Sequence, residues 1–140
     1  MSILQRFVLV ISLAFIAVAA LGFAASGFSM EADMNHAARI LTIFPVNFHH
    51  NMVHGLFGVW GLLSTRRWGA SRLFARASGV LYLALVPIGI LSPTLGGLMP
   101  IGGSDVILHA TIGAILALAG FMADTAPVKA EAAVTEPLAA

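Results

Sequence analysis

The chain contains no cysteine, which excludes disulfides, thiolate metal sites and cysteine nucleophiles together. It also carries little charge, since 9% of its 140 residues are charged and 59% are hydrophobic, whereas soluble domains are usually about a quarter charged. The net charge of +1 supplies no basic patch for nucleic acid. P-loop, dinucleotide-binding and GxSxG motifs are all missing. These absences favour a membrane protein, argue against nucleic acid as a partner and give no support for an enzyme.

Long apolar runs fill most of the chain. Four of them approach the ~20 residues that a helix needs to cross a bilayer, at about 7–28, 44–63, 73–91 and 105–122. Backbone amides find no water in the hydrocarbon, so these segments are predicted to be helices. We expect an all-α fold, an integral membrane four-helix bundle that forms one domain over residues 1–123. The lipid bilayer is its expected partner, and a homo-oligomer or a complex with other membrane proteins is compatible with it.

The two ends of the chain need separate interpretations. The first apolar run has an alternative as a signal peptide, with Arg6 as its charged start and a cleavage site near Ala24–Ser26. A retained helix is favoured, because the run is longer than the ~7–15 residues of a signal core. Residues 124–140 are rich in alanine with scattered charges, and are predicted to be a disordered cytoplasmic tail.

Arginines define the expected orientation. Arg6 precedes the first helix, and four more arginines lie between Thr65 and Arg76. The segment between helices three and four, residues 92–104, has no positive charge. The positive-inside rule therefore predicts that both termini and the segment between helices two and three are cytoplasmic. The histidine-bearing ends of helices two and four then lie on the outer side.

The chain contains an internal repeat. FPVNFHHNMVHGLFG at 44–58 aligns without a gap to MPIGGSDVILHATIG at 99–113, and three residue pairs are identical: Pro45 with Pro100, His54 with His109, and Gly58 with Gly113. The preceding helices match more loosely, at 15–22 and 82–89. The repeat predicts two helical hairpins in the same orientation, related by a pseudo-two-fold axis along the membrane normal. It also predicts that His54 and His109 lie at the same depth.

Polar residues and glycines share one face of helices two and four, at ~100° per residue. Polar side chains in hydrocarbon turn toward the bundle interior, and glycines allow helices to approach closely. We therefore predict that helices two and four pack through these faces. The predicted polar cluster comprises Asn47, His50, Asn51, His54, Asp105 and His109, and the predicted packing glycines are Gly58, Gly61 and Gly113.

The favoured interpretation of this cluster is structural. Asn47 has the position of an N-cap for helix two, and Asn51 and Asp105 are placed to hydrogen-bond the neighbouring histidines. The histidines would then be satisfied core residues of a structural or accessory membrane protein.

The alternative interpretation is a cofactor site. His50 and His54 are four residues apart on one face, and His109 completes a three-histidine metal site with Asp105 as fourth ligand or orienting group. Three methionines on the same side, Met30, Met34 and Met52, add copper as a candidate. Haem between His54 and His109 is a further candidate, although Arg39 is the sole outer-side arginine for its propionates. Substrate or proton handling is the remaining alternative.

A spaced pattern of these residues resembles a known family. PxNxxHNxxHxxxGxxGL is followed, after another helix, by LxPxGGxDxxLHxxxG, and the matching residues are Pro45, Asn47, His50, Asn51, His54, Gly58, Gly61, Leu62, Leu98, Pro100, Gly102, Gly103, Asp105, Leu108, His109 and Gly113. The pattern is similar to the small bacterial four-helix membrane proteins of domain-of-unknown-function family four-three-eight-three. The resemblance implies a multi-pass protein of the bacterial inner membrane. It implies no established activity, cofactor or catalytic residue.

Overall fold

Four helices and a small β-hairpin make up the described part of the chain. The computed structural model describes residues 1–123, so the predicted tail at 124–140 lies outside it. The helices are α1 (Ile3–Ser26), α2 (Phe48–Ser64), α3 (Trp68–Leu91) and α4 (Ser104–Met122). Two three-residue strands, β1 (Ala38–Ile40) and β2 (Phe44–Val46), pair antiparallel before α2, and a 3₁₀ turn at Leu95–Gly97 precedes α4.

Three of these helices are long and apolar enough to cross a membrane. In the most hydrophobic 18-residue segment of each helix, the share buried inside the protein is 28% for α1, 33% for α3 and 28% for α4. Most of their apolar surface is therefore left to lipid, which indicates a multi-pass membrane protein. Helix α2 has 17 residues, at the lower end of the ~17–25 that span a bilayer.

The second helix starts later than the sequence pattern suggested. It begins at Phe48 rather than near Phe44, because Phe44–Val46 forms strand β2. Pro45 explains the difference, since proline disfavours a helical conformation in the residue before it and is tolerated in edge strands. Asn47 then caps α2, with its Oδ1 accepting a hydrogen bond from the backbone N–H of His50 at 3.0 Å.

Helices α1 and α3 start earlier than their apolar runs. Helix α1 begins at Ile3 behind a capping box, in which Ser2 Oγ accepts from the N–H of Gln5 and Gln5 Oε1 accepts from the N–H of Ser2. Helix α3 begins at Trp68. Apolar composition marks only the part of a helix that faces lipid, so polar first turns fall outside it.

The helices pack as two hairpins, α1 with α2 and α3 with α4. Glycines permit the closest approaches. A Cβ on Gly58 would lie 3.1 Å from the backbone N of Ile16, and one on Gly113 would lie 2.9 Å from the backbone N of Leu83. Each of these two glycines therefore faces the partner helix within its own hairpin.

Equivalent contacts recur in the two hairpins. The alignment of 15–22 with 82–89 pairs Gly22 with Gly89, and that of 44–58 with 99–113 pairs Asn51 with Val106. A Cβ added at Gly22 would collide with the Asn51 side chain, and one at Gly89 would lie 3.0 Å from Cγ2 of Val106. Residues that align in the two copies therefore meet in the same way in each hairpin.

Aromatic side chains join the hairpins in the centre of the bundle. The Phe15 ring of α1 stacks on the Tyr82 ring of α3, with centroids 5.6 Å apart and an interplanar angle of 20°. Trp60 of α2 meets Phe74 of α3 edge to face at 5.0 Å. Packing between the hairpins is sparser than within them, and the backbones of α2 and α4 approach each other little. The space between α2 and α4 is bridged by the polar side chains described next.

Candidate functional site

Four buried polar side chains converge near one end of the bundle. His50 and His54 lie one turn apart near the start of α2, and Asp105 and His109 lie one turn apart at the start of α4. Their relative exposures are 4%, 5%, 2% and 3%. The repeat alignment pairs His50 with Asp105 and His54 with His109, so each hairpin contributes one i, i+4 pair.

Distances within the cluster are short. Oδ2 of Asp105 lies 3.6 Å from Nε2 of His50 and 3.6 Å from Nε2 of His109. One ligand atom from each of these three residues lies within 4.8 Å of the other two. Nε2 of His50 is also 3.0 Å from Nε2 of His54. The hydrogen-bonded pair of imidazoles needs one ring to donate and the other to accept.

Several polar atoms of this cluster are buried without a hydrogen-bond partner. They are Oδ2 of Asp105 and the Nδ1 atoms of His50, His54 and His109. The 3.6 Å separations are too long for hydrogen bonds, and a buried carboxylate oxygen without a partner is costly. A cation bound between the carboxylate and the two imidazoles would satisfy Asp105.

An aromatic pair forms the floor of the site. The His54 ring lies 5.5 Å from that of Phe15, and the His109 ring lies 5.1 Å from that of Tyr82. The two aromatic rings stack on each other, so each histidine rests on the first helix of its own hairpin. Polar patterning does not identify this aromatic floor, although the repeat aligns Phe15 with Tyr82.

A small cavity adjoins the cluster. Its volume is about 30 Å³, and its lining includes His50, His54, His109, Tyr82 and Met99. It is far below the ~300–1,000 Å³ of sites that hold organic ligands, so a haem does not fit between His54 and His109 in this arrangement. It does have room for one water molecule.

The two asparagines of the predicted cluster bind elsewhere. Asn47 Nδ2 donates to the carbonyl of Leu98 at 2.9 Å and to that of Met30 at 3.3 Å. Asn51 Nδ2 donates to Ser26 Oγ at 2.8 Å. Asn51 therefore ties α2 to α1 and does not hydrogen-bond a histidine as the sequence suggested. Its side chain faces Gly22 of α1, where the missing Cβ makes room for the amide.

Two further histidines and two of the predicted methionines lie outside the cluster. His36 pairs with Asp33 at 3.2 Å in an exposed loop, where the backbone N–H of Asn35 lowers the pKa of Asp33. His49 Nδ1 lies 3.1 Å from the carbonyl oxygen of Leu98. The side chains of Met30 and Met52 are 62% and 40% exposed, so neither thioether is directed into the cluster.

Fold and site together define a class of protein. It is a helical protein of two hairpins in which three helices are candidate membrane spans. A buried His–Asp group is shared between the hairpins. Residues 5–122 match the family model described as Domain of unknown function (DUF4383), so the chain belongs to that family. The resemblance seen in the sequence pattern is confirmed. Comparisons with curated proteins and with solved structures gave no match.

Proposed function

We propose that this protein is a multi-pass bacterial inner-membrane protein that binds a divalent metal ion at His50, Asp105 and His109. All four helices span the bilayer, as two hairpins in the same orientation with cytoplasmic termini. Helix α2 is the shortest, at about 25 Å for 17 residues. Its packing along α1 supports the same transmembrane path. The arginines near Arg6 and between Thr65 and Arg76 support the orientation.

The observation that carries this proposal is the convergence of two imidazole nitrogens on one buried carboxylate oxygen. Zinc binds nitrogen and oxygen ligands at about 2.0–2.1 Å in tetrahedral geometry, which places neighbouring ligand atoms about 3.3–3.4 Å apart. Oδ2 of Asp105 lies 3.6 Å from Nε2 of each of His50 and His109. Small rotations of these side chains would bring both separations to the ~3.3–3.4 Å expected between neighbouring zinc ligands, about 0.2–0.3 Å shorter than observed.

The donor set favours zinc over magnesium, calcium and copper(I). Magnesium and calcium prefer oxygen ligands, and copper(I) prefers thiolates and thioethers. Two imidazoles and one carboxylate are typical zinc ligands. His54 is placed to supply a fourth ligand, since its Nε2 is 3.0 Å from that of His50. If His54 stays outside the coordination shell, a water in the adjoining cavity takes the fourth position.

Charge also supports a cation at this position. Asp105 is buried between two histidines, and no arginine or lysine forms an ion pair with it among residues 1–123. An isolated buried carboxylate is strongly destabilising. A bound divalent ion would replace one uncompensated negative charge with a net charge of +1, shared among its ligands.

A structural or accessory role is the second candidate function, and Asn47 favours it. Its amide caps α2 and donates to the carbonyls of Met30 and Leu98. One side chain thereby joins α2 to the loops that precede β1 and α4. In this function the histidine cluster would only fix how the two hairpins dock.

Metal titration separates the two functions. The full-length protein is purified in detergent, stripped with a chelator and titrated with Zn²⁺, while bound metal and thermal unfolding are measured. We expect one zinc per chain and a stabilisation of about 2.7 kcal/mol at a free zinc concentration of about 100 Kd. His50→Gln and His109→Gln should lose both effects, because an amide does not replace an imidazole ligand. His49→Gln is the matched control on the same helix and should keep both.

The opposite result is equally clear. In that result the wild type binds no zinc, and its stability does not change when chelator is added. His50→Gln and His109→Gln would each lose only ~0.6–1.7 kcal/mol of unfolding free energy, and the structural role would then stand alone. Such losses are those of interhelical hydrogen bonds in membranes.

A further inference from the structure

An apolar groove lies at the end of the bundle opposite the histidines. It has a volume of about 680 Å³, within the ~300–1,000 Å³ of typical ligand sites. The start of α1, the start of α3 and the end of α4 form its walls. The main lining residues are Ile3, Leu4, Phe7, Trp68, Ala119 and Met122. Nearly all of this lining is apolar, so the groove suits a hydrocarbon chain better than a polar metabolite.

Positive charge borders this groove. The guanidinium carbon of Arg72 lies 5.3 Å from the centre of the Trp68 ring, which places a cation beside the groove wall. Its Nε lies 3.4 Å from the carbonyl oxygen of Gly120 in the last turn of α4. Arg6 is exposed and lies in the sequence between the lining residues Leu4 and Phe7. The groove therefore combines an apolar interior with two arginines at its border.

The acidic side chains of residues 1–123 lie far from this end of the bundle. Among residues 1–123 the acidic residues are Glu31, Asp33 and Asp105, which precede β1 or begin α4 at the histidine end. Five arginines lie at the groove end: Arg6, Arg66, Arg67, Arg72 and Arg76. Within the described part of the chain, this surface is therefore complementary to an anion.

We propose that the groove binds a phospholipid with an anionic headgroup. The acyl chain packs against Phe7 and Trp68, and the phosphate meets the guanidinium groups of Arg6 and Arg72. Basic pockets between transmembrane helices bind anionic lipid headgroups, and arginine favours phosphate because its planar fork makes paired hydrogen bonds. The inference is independent of the metal site, since the two lie at opposite ends of the helices.

Tryptophan fluorescence tests this proposal directly. The chain has 2 tryptophans, so Trp60→Phe leaves Trp68 as the single reporter. The full-length protein is placed in phosphatidylcholine vesicles that contain equal amounts of either dibrominated phosphatidylglycerol or dibrominated phosphatidylcholine. Bromine quenches a tryptophan that it contacts. We expect stronger quenching by the anionic lipid, with a preference of about fivefold for each arginine that contacts the headgroup.

Charge variants locate the site. Arg72→Gln should lower the preference about fivefold, and Arg72→Lys should retain only part of it, because lysine keeps the charge but loses the paired hydrogen bonds. Arg6→Gln is the second test, because Arg6 is exposed and its replacement leaves the stacking of Arg72 on Trp68 intact. Arg66→Gln is the matched control, since this arginine lies at the same end but neither stacks on Trp68 nor adjoins a lining residue in the sequence.

Three outcomes would overturn the proposal. Equal quenching by the two brominated lipids would mean that the groove does not select an anionic headgroup. An equal loss in Arg66→Gln and Arg72→Gln would mean that diffuse surface charge, and no defined site, attracts the lipid. Weak quenching by both lipids would mean that protein covers Trp68, either residues 124–140 or a second copy of the chain.

Discussion

Gly79→Ala should separate α3 from α4, because the two helices meet most closely at this glycine. A Cβ built on Gly79 would lie 2.7 Å from Cα and 3.0 Å from Cβ of Ala117. Carbon atoms normally approach to about 3.5–4.0 Å. The nearest atoms include the backbone of a packed helix, so no side-chain rotation can relieve the collision, and α4 must move by about an ångström.

The size of the effect follows from two opposing terms. Overpacking a well-packed core costs roughly 1–3 kcal/mol. Replacing a helical glycine by alanine returns about 0.8–1.0 kcal/mol of helix propensity. We therefore expect Gly79→Ala to lower the free energy of unfolding by roughly 0–2 kcal/mol, with a central value of about 1 kcal/mol. Gly69→Ala is the matched control in the same helix, since a Cβ there meets nothing within 4 Å, and it should be neutral or slightly stabilising.

Reversible unfolding in mixed detergent micelles, followed by circular dichroism, measures both variants. The double variant Gly79→Ala/Ala117→Gly adds a sharper test. It removes Cβ of Ala117 but keeps the backbone atoms that the new methyl group meets, so it should recover little stability. If Gly79→Ala is as stable as Gly69→Ala, the close contact between α3 and α4 described here is wrong.

Gly58→Ala and Gly113→Ala change equivalent repeat positions and should lose similar amounts of unfolding free energy. Gly55→Ala should lose none in the same assay, because its Cβ would meet only Cβ of Ala19 at 3.8 Å. Asn47→Ala should cost about 1 kcal/mol or more of unfolding free energy, because it removes a helix cap and two hydrogen bonds to loop carbonyls; an unchanged value would contradict these bonds. Alkaline phosphatase fused after Ala140 should be inactive, and a fusion within Ser29–Leu41 should be active; an active C-terminal fusion would reverse the proposed orientation.

Apolar run length and the repeat were enough to predict a helical protein built from two hairpins. Apolar patterning did not indicate the strands at Ala38–Ile40 and Phe44–Val46, because each has three residues and its pairing depends on a partner elsewhere in the loop. The helical wheel placed Asn51 on a polar face but did not identify Ser26 as its partner, since that bond depends on how α1 packs on α2.

For the histidine cluster too, the sequence predicted the local pairs of residues but not how they meet in the fold. Spacing alone placed His50 beside His54 on α2 and Asp105 beside His109 on α4. Their meeting depends on the rotation of one hairpin relative to the other, which periodicity along the chain does not contain. In the structure, the stacked rings of Phe15 and Tyr82 are one of the contacts at which the two hairpins meet.

The division of the cluster between α2 and α4 imposes an order on the biogenesis of the protein. When only the first hairpin has been synthesised, His50 and His54 are in place but Asp105 is still in the unmade part of the chain. A complete His50–Asp105–His109 group exists only after the last helix has been synthesised and docked. Acquisition of an ion would therefore be the last step of assembly, and a chain arrested before α4 would lack the complete site.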